Sequence, residues 1–341
     1  MDPYFILTLF QHGYKVRTST LYHLLKGKRT SSVLIYGFMY QNLRFFQLTP
    51  ELTESQFNKL VNTLLEEQLL NKDKDGDVQL TVAGDELLKS QKNAHQWINN
   101  YRFGKTDEEI WRFLQFMVQV VSHLSYNNKQ YVPLEQSPLY QGHLKKRITS
   151  LPRAELIKKL KTDWYSVFSQ LSKEEADYFA MQFSGYQQIG KTAFQLLDET
   201  IAPFDRYLLK KERLHHLLFL IENLAETSFL KETIQPFLQK NENQSMNETK
   251  LLLKEHLSVE EIAWQRKMKQ STIQDHLIEL ALTEQIFIDR YISAETYHYL
   301  DKLQTPCEQW IYRSLKKEND TLDYFEYRLY QIQKLRKERD V

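Results

Sequence analysis

The chain has 341 residues, 45 of them basic and 44 acidic, and a single cysteine, Cys307. A net charge this close to zero excludes a generic polyanion binder, so any nucleic-acid surface has to be local. One cysteine also excludes an internal disulfide and a cysteine-built zinc site.

Two or three domains are expected at this length. Asp2 stands where a secretory leader would carry basic residues, and no apolar run reaches membrane length, so the expected location is cytoplasmic, without membrane attachment. Only nine glycines and eight prolines occur, and apolar residues recur at three- and four-residue intervals. The fold class expected is mainly α: a multidomain helical protein with few short β hairpins.

In chain order, residues 3 to 12 read as a first helix, followed by a short helix capped by Ser19 or Thr20 and ending at Gly27, and then a helix from about 31 to 47. Thr53 with Gln56 forms a capping box for a helix whose inward face carries Phe57, Leu60, Leu64 and Leu65. Lys74-Asp75-Gly76-Asp77 is a turn signal, and the alternation of Val78, Leu80 and Val82 suggests a hairpin that leads into another helix near Gly84. This order is the outline of a winged helix, and residues 1–104 are assigned to a winged-helix-like N-terminal domain.

Thr106 with Glu109 opens a helix carrying Ile110, Phe113, Leu114, Met117, Val118 and Val121, the start of a helical middle domain over 105–240. The polar stretch from Gln239 to Thr249 reads as a linker or long loop. Residues 245–300 are assigned to a helix-turn-helix domain and 301–341 to a helical tail, where core packing accounts for most of the aromatics, among them Trp310, Tyr327 and Tyr330.

Residues 258 to 281 carry the most informative spacing. Ser258 with Glu261 caps a short helix, Ala263 is the small residue at a helix crossing, and Met268 plugs the turn. Ser271 or Thr272 caps a second helix that buries Ile273, Leu277 and Leu280. In such a motif the second helix is the one offered to DNA, and Lys267, Lys269, Gln270, Ser271, Thr272 and Gln274 are the candidate contacts. Asp275 and Glu279 lie on the same helix and cannot pair with phosphate. Ile286-Phe287-Ile288 is a short strand candidate for a wing.

Two lysine- and arginine-rich stretches stand out from the neutral average. One holds Lys26, Lys28 and Arg29; the other includes Lys145, Lys146, Arg147, Lys158 and Lys159. A handful of such residues on one face can supply salt-sensitive, sequence-independent binding.

Gly185 to Thr192 fits the phosphate-loop pattern letter for letter, with Gly190, Lys191 and Thr192 as the nucleotide-binding candidates. A phosphate loop needs a buried strand before it, and here Ala176, Phe179, Ala180 and Phe183 have helical spacing behind a Ser172 and Glu175 capping box. Nucleotide binding is therefore a lesser alternative, beside a glycine turn or a second divergent helix-turn-helix opened by Thr192 and Gln195. The ten histidines show no ligand spacing, and no serine, histidine and acid arrangement stands out, so neither a catalytic role nor a cofactor or metal is expected.

On these residues the stretch from Thr249 to Ile292 resembles the helicase helix-turn-helix domain at the C-terminus of some RecQ-type helicases. Together with residues 19 to 32 and 184 to 192, the chain looks like the YpbB family of Gram-positive bacteria. The turn departs from many such motifs in carrying Lys267 where they have glycine. The resemblance implies a non-enzymatic, DNA-associated accessory factor that bridges DNA and a RecQ-like helicase in repair or recombination. A helix-turn-helix transcription regulator is the alternative, and a phosphate-loop ATPase the lesser one.

Overall fold

The computed structural model describes residues 1–90, 95–283 and 288–339. Its described residues divide into two compact units, one from 95 to 241 and the other joining 2–90 to 242–339. Residues 2–90 of the segment assigned to a winged helix thus share one unit with the helix-turn-helix and the tail, whereas residues 95–104, assigned to the same domain, belong to the other unit.

The N-terminal half of that unit runs through α1 (Pro3–Thr8), α2 (Thr18–Lys26), α3 (Ser31–Met39) and α4 (Glu54–Glu66), then β1 (Leu70–Lys72), β2 (Val78–Leu80) and α5 (Val82–Ser90). The strands pair antiparallel with Leu70 opposite Leu80, and Val16 bridges to Val78 on the other edge of β2. Helices followed by a hairpin with this third short pairing have the outline of a winged helix, as expected. Two helices stop short of their expected ends: α1 at Thr8 instead of residue 12, and α3 at Met39 instead of 47, where a separate 3-10 turn covers Leu43–Phe45. Helix α2 begins at Thr18, with Arg17 at its cap position and no side-chain cap, so neither Ser19 nor Thr20 caps it. The Thr53 and Gln56 capping box is formed, and the face of α4 that is buried carries Phe57, Val61 and Leu64, leaving Leu60 and Leu65 half-buried.

The unit from 95 to 241 is helical: α6 (Asn100–Phe103), α7 (Asp107–Ser125), α8 (Pro138–Ile148), α9 (Arg153–Phe168), α10 (Lys173–Ala180), α11 (Ala193–Leu196), α12 (Pro203–Glu222) and α13 (Phe229–Leu238). Leu114 and Met117 of α7, Leu160 of α9, Leu217 and Ile221 of α12 and Leu230 of α13 belong to one core. A charged group is buried in the same unit. Asp107 accepts from the Lys211 ammonium and lies 2.8 Å from His215 Nε2, while the Asn99 N–H donates to His215 Nδ1 at 3.0 Å. With Nδ1 already an acceptor, His215 is neutral with its proton on Nε2, and burial lowers its pKa. Thr106 precedes α7 as expected but does not cap it; its hydroxyl accepts from the Asn241 amide at 2.6 Å.

The chain re-enters the first-described unit with α14 (Gln244–Lys254), α15 (Val259–Arg266), α16 (Gln270–Thr283), α17 (Ala294–Leu300), α18 (Tyr312–Glu318) and α19 (Tyr324–Arg339). The polar stretch read as a linker is therefore mostly helix: Asn243 caps α14, accepting from the N–H groups of Ser245 and Met246. Helix α16 packs against α3 and α19 as well as α14 and α15. Arg339 of α19 donates to the carbonyls of Phe38 (3.0 Å) and Met39 (2.7 Å), placing a cation on the C-terminal end of α3. In the tail, Trp310, Tyr327 and Tyr330 are buried as expected, and the Tyr327 hydroxyl donates to the Trp310 carbonyl at 3.1 Å. Of the wing strand candidate, Ile286 and Phe287 lie outside the described residues. Ile288 is buried ahead of a 3-10 turn, Asp289–Tyr291.

Candidate nucleic-acid interface

Helices α15 and α16 meet as the spacing predicts, with Ile262, Ile273, Leu277 and Leu280 buried and Ala263 8% exposed at the crossing. The capping box at the start of α15 is complete: the Glu261 N–H donates to Ser258 Oγ at 3.2 Å, and Glu261 Oε2 accepts the Ser258 N–H at 2.7 Å. At the other end Lys267 takes a left-handed conformation, φ 52°, and the Met268 N–H reaches back to the Ala263 carbonyl at 2.9 Å. That is a helix-ending motif glycine usually serves, so a lysine here carries about 1 kcal/mol of backbone strain. Neither Ser271 nor Thr272 caps α16. The helix is already under way at Gln270, and Lys269 is the residue whose carbonyl accepts from the Thr272 N–H at 2.9 Å.

The second helix exposes little of itself. From His276 to Leu282 every residue is buried, walled in by α3 and α19. Its two acids account for part of that packing. Glu279 accepts from Arg29 Nε at 2.8 Å, and Asp275 accepts from the Ser31 hydroxyl. His276 Nδ1 lies 2.8 Å from Thr249 Oγ1, and Arg266 donates both to that hydroxyl and to the Ser245 carbonyl at 2.6 Å, so α14, α15 and α16 are tied at one point. Burial is the main cause of a lowered His276 pKa, with the Arg266 charge adding to it.

What remains outside is the turn and the first turn of α16. Lys267, Lys269, Gln270 and Ser271 are exposed, and Thr272 and Gln274 are half-buried. Neither Lys267 nor Lys269 forms an ion pair among the described residues. Gln270 donates to Glu260 at 2.6 Å. Beside them Trp264, on the outer side of α15, is 85% exposed. Sequence reading passed over it because an aromatic inside a helix-turn-helix is ordinarily core; the signal was its position next to Ala263, which sends the two side chains to different faces.

The basic stretches split in the structure. Lys28 is exposed, but Lys26 donates to the Pro50 carbonyl and Arg29 is held by Glu279. In the other stretch Lys145, Lys146 and Lys158 are exposed, whereas Arg147 binds Glu232 at 3.3 Å and Lys159 lies 3.7 Å from Glu155. Tyr165, farther along α9, is 79% exposed, a second aromatic that sequence reading left unremarked.

Gly190, Lys191 and Thr192 sit in a different setting. Helix α10 precedes the loop, not a strand, and the loop closes on itself through paired bonds between Gly185 and Gln188 at 3.0 and 3.1 Å. At Gly190 a side-chain carbon would lie 2.3 Å from the Gln182 carbonyl oxygen, so this glycine serves a close backbone approach. The Thr192 N–H donates to Gln195 Oε1 at 2.8 Å, which starts α11, but that helix ends after four residues and opens no second helix-turn-helix. Among the described residues no group of side chains is arranged to hold a metal ion, and no helix is long and apolar enough to cross a membrane.

Comparison with known proteins agrees with this geometry. A family model described as a helix-turn-helix domain matches residues 245–331, from the first turn of α14 to within α19, so the matched domain includes the tail helix that walls in α16. The chain is 24% identical over 326 residues to Protein YpbB of Bacillus subtilis (strain 168), covering 91% of each chain. No solved structure matches it.

Proposed function

We propose that the protein is a non-enzymatic, DNA-associated accessory factor that holds DNA weakly, without sequence preference, and bridges it to a RecQ-like helicase in repair or recombination. The observation that carries the reading is the exposed end of the helix-turn-helix. Lys267 and Lys269 stand beside Gln270 and Ser271 and form no ion pair among the described residues, while α16 is buried from His276 to Leu282. A helix enclosed on both flanks cannot lie along a major groove, but its first turn can touch phosphates. Such contacts position a protein on DNA and carry no sequence information. Lys28, exposed in the same unit, would add to the salt-sensitive attraction. The helicase partner rests on the family likeness.

Fluorescence anisotropy with a labelled duplex, titrated across salt concentrations, tests the DNA half. Lys267→Ala combined with Lys269→Ala should weaken binding to all sequences alike and reduce the logarithmic salt slope by about 2, one phosphate for each lysine. An unchanged slope removes this surface from the reading, and enrichment of one preferred sequence in a binding selection would favour a transcription regulator instead. A pull-down with the helicase, with and without nuclease, tests the other half, since loss of capture after nuclease treatment would mean co-occupancy of DNA and no bridge.

A further inference from the structure

Helix α9 carries an outward strip that the helix-turn-helix does not account for. Leu156, Leu160, Trp164 and Val167 face the core of their unit. On the opposite side, at about 100° per residue, Lys158, Lys161 and Tyr165 fall within a sector of roughly 60°. All three are exposed, and Tyr165 is 79% so. With the inward face of α9 already filled, the Tyr165 ring is left in water, where its flat face is open to a ligand lying along the two lysines.

The charge around the strip is one-sided. The acids of α9 are engaged: Glu155 pairs with Lys159, and Asp163 is turned away to accept from the Ser228 hydroxyl at 2.9 Å and the Leu230 N–H at 3.0 Å, which caps α13. Lys158 and Lys161 form no ion pair among the described residues. The surface therefore offers uncompensated positive charge in line with one flat aromatic face.

We infer that this strip of α9 is a single-stranded nucleic-acid site, in which Lys158 and Lys161 hold phosphates and Tyr165 stacks on an unpaired base. Cations tracking a backbone next to an aromatic platform are what single strands bind, because each base has a π face and stacking tolerates any sequence. A duplex keeps those faces inside its own stack, and the strip has none of the arginine or amide groups that read base edges in a groove. From Lys158 to Tyr165 the helix rises about 10 Å, the length of roughly three stacked nucleotides. The inference deepens the reading of the protein as DNA-associated and depends on it, but places the contact in the other unit and names its form.

The test compares a labelled oligothymidylate with a duplex in anisotropy titrations of the full chain. Tyr165→Ala should weaken single-strand binding about tenfold, Tyr165→Phe should retain it because the ring remains, and neither should alter duplex binding. Replacing Lys158 and Lys161 with alanine should lower the single-strand salt slope by about 1.4, or 0.7 for each lost phosphate contact. Because these side chains are exposed, the variants should unfold with the wild-type midpoint, which separates loss of binding from loss of fold. Single-strand affinity unchanged by Tyr165→Ala, with duplex binding still dependent on Lys267 and Lys269, overturns this site and leaves the DNA-associated reading standing. Binding of neither form by the wild-type chain overturns both.

Discussion

Replacing Arg29 with alanine tests whether this residue serves a phosphate or the fold. Its guanidinium donates to Glu279 Oε1 from Nε at 2.8 Å and also from Nη2, and the two side chains are 32% and 8% exposed. Removing one partner of a buried pair costs about 3–5 kcal/mol, since the other charge is left without water or counter-charge. The third of Arg29 that is exposed gives water a route toward Glu279, which brings the expected loss to about 2–3 kcal/mol. In a body of this size that lowers the unfolding midpoint by about 4–12 °C. Calorimetry of the intact chain reads the shift, and hydrogen exchange should show it concentrated in α3 and α16. Lys28→Ala, one residue away and exposed, should shift stability by less than about 0.5 kcal/mol. Changing Arg29 and Glu279 together to methionine should recover most of the loss, because no uncompensated charge is then buried. If Arg29→Ala left stability intact and instead lowered the DNA salt slope by about 0.9, the ion pair would be incidental and Arg29 a phosphate contact.

Lys267→Gly should raise stability by about 0.5–1 kcal/mol, by relieving the left-handed turn, while weakening DNA binding; a loss of stability would mean that the lysine stem packs favourably enough to outweigh the strain. Burial holds the His12 pKa down at about 4, against 6.5 in the unfolded chain, and its Nδ1 accepts the Tyr14 N–H at 3.0 Å. The unfolded state therefore takes up a proton below pH 6.5 that the folded state refuses until about pH 4, so stability falls as pH drops through that window, by about 2 kcal/mol from pH 7 to 5. Denaturant unfolding at the two pH values measures it, and an equal loss in His12→Leu would assign the effect elsewhere. For the loop at Lys191, titration calorimetry with millimolar ATP and magnesium should show no saturable binding; a magnesium-dependent site abolished by Lys191→Ala would restore the nucleotide reading.

What sequence showed of the fold was mostly local. The capping boxes at Thr53, Ser172 and Ser258 form as spelled, because each is a bond between residues three apart. The Lys74 to Asp77 turn was equally legible, with Gly76 at φ 85° where a side chain would strain it. Helix α14 was not legible, because what steadies its polar residues lies downstream: Arg266 gathers Ser245, Glu248 and Thr249 across about twenty positions of chain. The short ends of α1 and α3 were missed for a related reason, since their apolar residues continue into turns that pack as well as helix does. At the candidate interface, sequence spacing correctly sent Lys267 and Lys269 outward, but it could not show that Arg29 would be spent on a glutamate 250 residues later.

The acids on α16 looked like a defect in a DNA-reading helix, and the fold explains them differently. A helix that reads a groove must keep one face empty until DNA arrives, and acids there would repel phosphate. In this chain that stretch is not empty: α3 brings Arg29 and Ser31 to Glu279 and Asp275, and α19 closes another side. The same helix that the motif offers to a ligand has become the centre of a folded unit. Glu279 is neutralised by Arg29 and does not weigh against DNA contact at the turn, whereas Asp275, exposed and bonded to the neutral Ser31 hydroxyl, keeps its charge beside Gln274 and works against contact there. On the proposed reading, DNA contact falls to the turn, where Lys267 takes a left-handed conformation that glycine would relieve. The outer side of α15 is exposed as well, through Glu260, Glu261 and Trp264, but the cations of the pair that face water without an acidic partner among the described residues, Lys267 and Lys269, sit at this strained turn, and on the proposed reading that is where a phosphate is met.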